Sequence, residues 1–243
     1  MFISFTTLWG NTLYSSLNPK QHFAGEIVES SLFSFVAQCP ADRLYEPPLF
    51  GSFVRTPLPP LCFETPSPKG EVDPFTEAVT KFPYNWEEGT TYAVVCMAST
   101  RSLDPSRRPS AYGLNEAQLR AEQPQIFDLL QTEFTALSVG YVHQGRLRYT
   151  LPTRPPRIHA FVGECSAPEI HALTQTPEYL RLLLQVRGEV SADELVVATL
   201  RQVCEVQTNP YEYLVKAGRY LAHLLREEPE RLTAILKQLE PSG

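Results

Sequence analysis

The 243-residue chain is 43% hydrophobic and 20% charged, and its formal net charge at pH 7 is -6. This composition is typical of a soluble globular protein and excludes a fibrous or largely disordered chain. At this length we expect one large domain or two small ones, each with a core of its own.

Membrane and export signals are missing from the sequence. No apolar run reaches the roughly 18 residues needed to cross a bilayer, and the opening MFISFTTLWG lacks the basic region and cleavage site of a signal peptide. The five cysteines are scattered and never form a CxxC pair, which favours unpaired thiols in a reducing compartment. They are Cys39, Cys62, Cys96, Cys165 and Cys204. We therefore expect a cytoplasmic protein without membrane insertion, whose thiols behave as small hydrophobic groups.

Short extended segments follow an unpatterned beginning. Residues 1–23 start with β-prone positions that dissolve into NTLYSSLNPKQ, so we expect a loose N-terminal extension outside the fold. GEIVESS and FSFVAQC alternate with a period of two, which predicts two strands of a sheet with one buried face. LFGSFVRT, residues 49–56, predicts a third strand, and its Gly51 indicates a bulge or tight bend.

A proline-rich connection leads to a strongly apolar segment. Five prolines between Pro57 and Pro68 exclude a central strand or helix, so this stretch is predicted to be a long surface connection. TYAVVCMAST, residues 91–100, is nearly continuously apolar. Such a run is typical of a strand buried on both faces or lying at the centre of a barrel.

Helix signals begin after this strand. Asn115 and Gln118 form a capping box, and Pro124 can occupy the first turn of a second helix that ends at Gly140. That helix would carry four apolar residues on one face. They are Phe127, Leu130, Phe134 and Leu137.

Two β segments and a run of helices complete the chain. YVHQGRLRYT predicts a hairpin turning at Gln144-Gly145, and RIHAFVGE, residues 157–164, predicts a strand. Four helix-start signals then combine a capping side chain, a first-turn proline or an early acid. They lie at Thr176, Ser191, Asn209 and Pro229. Each helix has one apolar stripe, so the four are expected to pack as a small bundle.

The predicted fold class is α+β, with an N-terminal small β-barrel followed by a C-terminal helical bundle. A closed barrel is favoured because closing a sheet of short strands leaves no edge to aggregate. We expect four parts along the chain. They are a loose extension (1–23), the β-barrel (24–113), a mixed helix and strand segment packing on the barrel (114–165) and the helical bundle (166–243).

Catalytic motifs are absent from the sequence. None of the twelve glycines begins GxxxxGK[ST] or GxGxxG, and the GxSxG, HExxH and kinase signatures are missing. One cluster could form a zinc site or a Cys/His nucleophile, but its irregular spacing favours chance proximity. It comprises His159, Glu164, Cys165 and His171. We therefore predict a protein that is not an enzyme and has no catalytic residues, metal or cofactor.

The arginines are concentrated in two stretches. Three arginines and one acid between Ala98 and Gly113 give +2, and four arginines without an acid between Tyr141 and Ala160 give +4. The rest of the chain therefore sums to -12. If the two stretches meet in space, they form a basic face. Its predicted partner-binding residues are Arg101, Arg107, Arg108, Tyr112, Arg146, Arg148, Arg154 and Arg157.

Three interpretations of this face remain open. Arginine forks beside tyrosines could hold phosphates and stack on bases. They could instead meet carboxylates of a protein partner, because arginine and tyrosine are enriched at the centres of interfaces. They could also pair with the acids of the same chain and hold the barrel to the bundle. The acidic balance of the whole chain disfavours nucleic acid.

The N-terminal segments resemble a known family. GEIVESSLFSFVAQC, PPLFGSFVRT and TYAVVCMASTRSLDPSRRPSAYG, within roughly residues 24–113, resemble the HAS-barrel of HerA-type DNA translocases and ATP synthase catalytic-core subunits. The resemblance implies a small barrel that sits in a crown on a ring and docks partners while an ATPase domain does the work. Here residues from Asn115 onward take the place of the ATPase domain. Of the two roles, the resemblance therefore implies only the docking of partners for this chain.

The predicted function is therefore that of a non-enzymatic assembly or adaptor protein. It would dock onto a larger protein complex through the arginine-bearing surface, with an ATPase ring as one candidate partner. Asp104-Pro105 and Arg108-Pro109 are expected to hold the arginines in a rigid turn. The alternative is a nucleic-acid-binding accessory factor that acts with a DNA translocase or repair complex.

Overall fold

A computed structural model of the chain describes residues 23–59, 89–104, 106, 109–110, 112–188 and 190–239. Its strands are β1 (Phe23–Ser30), β2 (Ser34–Gln38), β3 (Phe53–Pro57), β4 (Thr90–Ser102), β5 (Leu130–His143), β6 (Arg146–Arg148) and β7 (Phe161–Glu164). Its helices are α1 (Glu116–Glu122), α2 (Ala167–Leu173), α3 (Leu180–Leu183), α4 (Ala192–Val206), α5 (Pro210–Leu224) and α6 (Pro229–Leu239). The predictions for residues 1–22 and for the prolines from Pro60 to Pro68 lie outside the described residues.

Six of these strands close into an antiparallel barrel. The sheet runs in the order β2, β1, β7, β3, β4 and β5, and β5 pairs back with β2. Strand β6 extends the sheet as the second strand of a hairpin with β5. The predicted α+β fold, a barrel in the N-terminal half followed by helices, is confirmed.

The barrel interior is filled by alternate residues of each strand, as the period-two pattern of β1 and β2 predicts. Phe35 and Ala37 of β2 are buried there, opposite Phe134 and Ala136 of β5. The other fully enclosed side chains are small or β-branched, which suits the narrow lumen of a six-stranded barrel. They include Ala24, Ile27, Val54, Ala93, Val95 and Val162.

The helices cover the outer face of β3, β4 and β5. Phe53 of β3 meets Tyr179 edge-on with ring centroids 5.5 Å apart, and the Tyr179 hydroxyl hydrogen-bonds the Tyr213 hydroxyl at 2.9 Å. Strand β4 is thus buried on both faces from Thr91 to Cys96, as its apolar run predicts. A second core forms between the sheet and the helices. It includes Val94, Val139, Leu180, Leu183, Leu195, Leu200 and Leu221.

The predicted helix from Pro124 to Gly140 is wrong. Only Pro124–Leu129 is helical, as a 3-10 segment, and β5 starts at Leu130. Phe134 points into the barrel and Leu137 packs against the helices, so the apolar spacing reflects a strand buried on both faces. Pairing with β4 on one side and β2 on the other outweighs the helical periodicity.

The hairpin turn and the helix caps follow the sequence signals. Gln144 and Gly145 both have positive φ, as a two-residue hairpin turn requires. The Asn115 capping box forms, and Ser191 and Asn209 cap α4 and α5. The four predicted C-terminal helices are confirmed, the first as a 3-10 turn that continues into α3, and α2 precedes them.

The strand predicted over residues 157–164 is too long. Strand β7 covers only Phe161–Glu164, because His159 adopts a positive φ that interrupts the extended chain. Strands β5, β6 and β7 all come from the segment 114–165, and they belong to the sheet itself.

Within the described ranges, every helix is too short or too polar to span a bilayer.

Candidate functional site

Strands β4 and β5 continue past the barrel wall as a two-stranded ribbon. Residues from Met97 to Ser102 pair with residues from Leu130 to Thr135, and α1 and the 3-10 segment lie in the connection between them. We call residues 97–131 the arm. None of the arm residues that the structure describes is buried. The arm therefore projects from the fold and adds nothing to either core.

Polar contacts fix the root of the arm. The Arg101 guanidinium bonds the carboxylate of Glu133, a buried residue, and Gln131 donates to the other oxygen of that carboxylate at 2.9 Å. The Thr100 and Thr132 hydroxyls bond each other at 2.7 Å on the opposite face. A depression of about 130 Å³ lies beside Arg101 on the outer surface. Arg101 therefore pairs with an acid of its own chain, but this acid lies on the neighbouring strand and not in the helical bundle. The Arg101 side chain is 59% exposed.

The predicted rigid turn begins with an Asx turn. The Asp104 carboxylate accepts from the Ser106 hydroxyl at 2.6 Å and from the Ser106 amide at 2.9 Å. These bonds, the hydroxyl first, hold the pKa of Asp104 below its usual value. Arg107 and Arg108 lie outside the described residues, while Tyr112 is described and exposed.

Helix α1 is held by contacts within the arm. Arg120 forms an ion pair with Glu116 at 2.9 Å, one helical turn away. The Arg120 guanidinium also lies 4.1 Å from the centre of the Phe127 ring. These contacts order the helix locally, although it has no buried residue.

The arm exposes large apolar side chains. Leu103 is 50% exposed and Leu129 is 55% exposed, and the Leu103 amide donates to the Leu129 carbonyl at 2.8 Å. Met97, Tyr112 and Leu114 are exposed as well. Apolar groups concentrated on a projecting element are typical of an interaction surface. Sequence reasoning missed this feature, although the loss of apolar residues after Met97 in MASTRS was a usable signal.

The charges of the arm balance. The arm contains four arginines and four acids, so its formal net charge is zero. The arginines are Arg101, Arg107, Arg108 and Arg120, and the acids are Asp104, Glu116, Glu122 and Asp128. A neutral, partly apolar arm suits a protein surface better than a phosphate backbone.

The sequence matches no protein-family model and no curated protein.

The second group of arginines lies at the other end of β5. Arg148 pairs in register with Tyr141, whereas Arg101 pairs with Gln131. The ten intervening steps along β5 span on the order of 30 Å of extended strand. The structure therefore does not bring Arg101 together with Arg148 into one basic face.

The second group itself is exposed. Arg146, Arg148 and Arg157 are exposed and make no ion pair with any described residue, whereas Arg154 is half-buried. Arg154 and Arg157 lie in the connection from β6 to β7, which is tied to β1 by a 2.7 Å bond from the Ser30 hydroxyl to the Pro156 carbonyl.

The His159, Glu164, Cys165 and His171 cluster separates into unrelated contacts. His159 bonds Glu26, Glu164 pairs with Arg43 at 3.1 Å, and His171 lies exposed on α2. Burial raises the pKa of the Cys165 thiol well above its ordinary value, which disfavours the thiolate that a nucleophile needs. In the described part of the chain, no three His, Cys, Asp or Glu side chains are grouped to hold one metal ion.

Proposed function

We propose that this protein is a non-enzymatic adaptor that docks onto a larger protein assembly through the arm. The observation that carries the proposal is a projecting ribbon and helix without a buried residue, whose exposed leucines have no role in either core. Apolar side chains gathered on one projecting element are typical of a surface that a partner covers. The balanced charge of the arm favours a protein partner.

Further observations support an adaptor rather than an enzyme. The described thiols have raised pKa values from burial, and the sequence lacks nucleotide motifs. The closed six-stranded barrel supports the HAS-barrel resemblance in architecture, and with it an ATPase ring as a candidate partner. The four cysteines that the structure describes are unpaired, which supports a cytoplasmic location.

The test removes the apolar side chains of the arm without touching the fold. In the arm variant, Met97, Leu103, Leu114 and Leu129 are each replaced by serine, and all four are exposed. Tagged wild type and the arm variant are purified from the source cells, and the co-purifying proteins are quantified by mass spectrometry. A stoichiometric partner should fall at least tenfold with the arm variant.

The control variant has the same kind of substitution, an exposed apolar residue replaced by serine, at positions outside the arm. Ile158→Ser and Leu236→Ser change two apolar side chains that are equally exposed but lie outside the arm. The partner should be retained by this control. Equal recovery with all three proteins, or a loss of the partner in the control as well, overturns docking through the arm.

A second candidate function follows from the exposed arginines at the other end of β5. Arg146, Arg148 and Arg157 have no acidic partner among the described residues, and their stretch carries +4. They could bind the phosphates of a nucleic acid, in an accessory role beside a DNA translocase or repair complex. Affinity for a labelled single-stranded oligonucleotide should then fall steeply with salt, and Arg146→Glu with Arg148→Glu should abolish binding. Absence of binding at low salt rules this function out.

A further inference from the structure

In the part of the chain that the structure describes, the ribbon of the arm has an open edge along β4. Strand β3 pairs with β4 only as far as Val94, and Val95 exchanges the last bonds, from its amide to Ser52 at 3.0 Å and from Gly51 to its carbonyl at 2.8 Å. From Met97 to Ser102, β4 is paired with β5 alone among the described residues. The edge of β4 that faces away from β5 therefore has no partner strand among the described residues and can accept one.

The hydrogen bonds of β5 show which residues face that edge. Thr132 accepts from the Cys39 amide, and the Ser138 amide donates to the Phe33 carbonyl, each at 2.8 Å. Both bonds run toward the β2 side of β5, so the even-numbered residues near β2 direct their backbone groups to that side. The odd-numbered residues between them direct theirs to β4.

Strand β4 therefore alternates between used and unused backbone groups. Ser99 lies opposite Glu133 and Arg101 lies opposite Gln131, so both residues exchange bonds with β5. The alternate residues direct their amide and carbonyl groups to the open edge. These residues are Ala98, Thr100 and Ser102.

We propose that this open edge binds an extended, apolar segment of a partner protein as an added β-strand. The inference rests on the proposed docking function and gives it a binding mode. Three outward residues offer three donors and three acceptors at strand spacing, which an extended segment of about six residues would satisfy. The backbone of an extended peptide presents alternating donors and acceptors along such a line.

The surroundings of the edge select apolar side chains in the bound segment. Leu49 is 66% exposed and Phe50 is 40% exposed, and both directly precede Gly51 at the start of the edge. Leu103 and Leu129 lie exposed at its other end. Arg101 is already neutralised by Glu133, so the edge offers no net charge to attract an ionic segment.

The size of the edge favours a partner segment over a second copy of this chain. Self-pairing of six residues buries far less than the roughly 1,200 to 2,000 Å² of a stable interface between folded proteins. A partner's extended segment can bind within that small area, because strand addition relies on backbone hydrogen bonds and a few side-chain contacts.

Amide exchange on the wild-type full chain tests the binding mode. The probe is a peptide selected from a phage-displayed library of random dodecapeptides. By NMR, the amides of Ala98, Thr100 and Ser102 should exchange fast in the free protein and slow at least tenfold with the peptide. The amides of Ser99 and Arg101 should be protected in both states. Failure to select any peptide, or a peptide that protects amides elsewhere, overturns strand addition. Protection of the edge in the free protein that rises with concentration identifies a second copy and also overturns it.

A proline variant tests the same edge through one amide. Thr100→Pro removes an outward N–H that the fold does not use, and it should weaken peptide binding about tenfold. Thr100→Ala keeps the amide and loses only the hydroxyl bond to Thr132, so it should bind like wild type. If Thr100→Pro does not fold, Ala98→Pro tests the same edge. In cells, loss of the partner with the arm variant but not with Thr100→Pro leaves docking intact and overturns strand addition.

Discussion

Arg55 on β3 and Glu169 on α2 form an ion pair of 3.0 Å across the interface between the barrel and the helices. Their side chains are only 10% and 3% exposed. Glu169 also accepts from the amide and hydroxyl of Ser166, which completes the capping box of α2. The carboxylate therefore joins the first turn of the helical half to the barrel wall.

Removing one member of this pair should be costly. Arg55→Met leaves the Glu169 charge buried without its counter-ion, and we expect the free energy of unfolding to fall by about 3 to 5 kcal/mol. Replacing both residues by methionine should recover part of the loss, because no uncompensated charge remains. Urea denaturation followed by circular dichroism measures both changes.

The control is an exposed pair of the same type. Arg43 pairs with Glu164 at 3.1 Å, but the side chains are 21% and 47% exposed. Arg43→Met should therefore cost no more than about 1 kcal/mol. Similar losses for Arg43→Met and Arg55→Met would show that burial of the inner pair has no energetic weight.

Gly51, in the turn before β3, should not tolerate a side chain. Its φ is +83°, and an added Cβ would lie 2.8 Å from backbone atoms of Ala198 and Thr199 in α4. Gly51→Ala should therefore lose about 2 to 4 kcal/mol from combined backbone strain and overpacking. Gly113 has a similar φ of +70° but open space around it, so Gly113→Ala should lose only about 1 kcal/mol. Equal losses would contradict the close approach of Gly51 to α4.

The tip of the arm should be dispensable for folding. Leu103 and Leu129 form a hydrogen-bonded pair, so a two-residue Asn-Gly turn can replace residues 104–128 between them. Since none of the arm residues that the structure describes is buried, the free energy of unfolding should change by less than about 1 kcal/mol. A loss above about 3 kcal/mol in urea denaturation would mean that the tip packs on the body.

The sequence predicts the parts of the fold in which a residue pattern is compatible with only one type of element. Alternation in β1 and β2 predicts a barrel wall, and the buried run from Thr91 to Cys96 predicts a central strand. Strand β5 was predicted as a helix because Phe134 and Leu137 serve two different cores. A strand buried on both faces has no period of two, so its apolar spacing can match that of a helix.

The candidate site was harder to predict because it depends on where strands end relative to one another. The sequence identifies the arginines, but only the register of β5 shows that Arg101 and Arg148 lie at opposite ends. The open edge exists because β3 stops pairing at Val94 while β4 continues to Ser102. Where one strand stops pairing while its neighbour continues depends on tertiary contacts, and the ends of elements are the features that sequence patterns predict least well.

Stability should decline in alkaline solution because two thiols are buried. Burial raises the pKa of Cys39 and of Cys96 to about 11 from the ordinary value of 9.0. Between these values the unfolded chain releases the two protons and the folded chain keeps them, so rising pH favours unfolding. Below pH 9 the thiols are protonated in both states and do not lower the free energy of unfolding. Between pH 9 and about pH 11, each thiol should lower it by up to about 1.4 kcal/mol per pH unit.

A variant with Cys39→Ala and Cys96→Ala isolates this effect from the other titrating groups. Burial also raises the pKa of Cys165 and Cys204, so the wild type and the variant share a decline above pH 9. The buried tyrosines add to this shared decline at higher pH. Urea denaturation at pH 8, 9 and 10 should show a steeper loss in the wild type between pH 9 and 10. The variant should be less stable at pH 8, because two cavities replace the sulfur atoms, yet less sensitive to pH. Parallel pH profiles for the two proteins would mean that these thiols ionise at their ordinary pKa in the folded state.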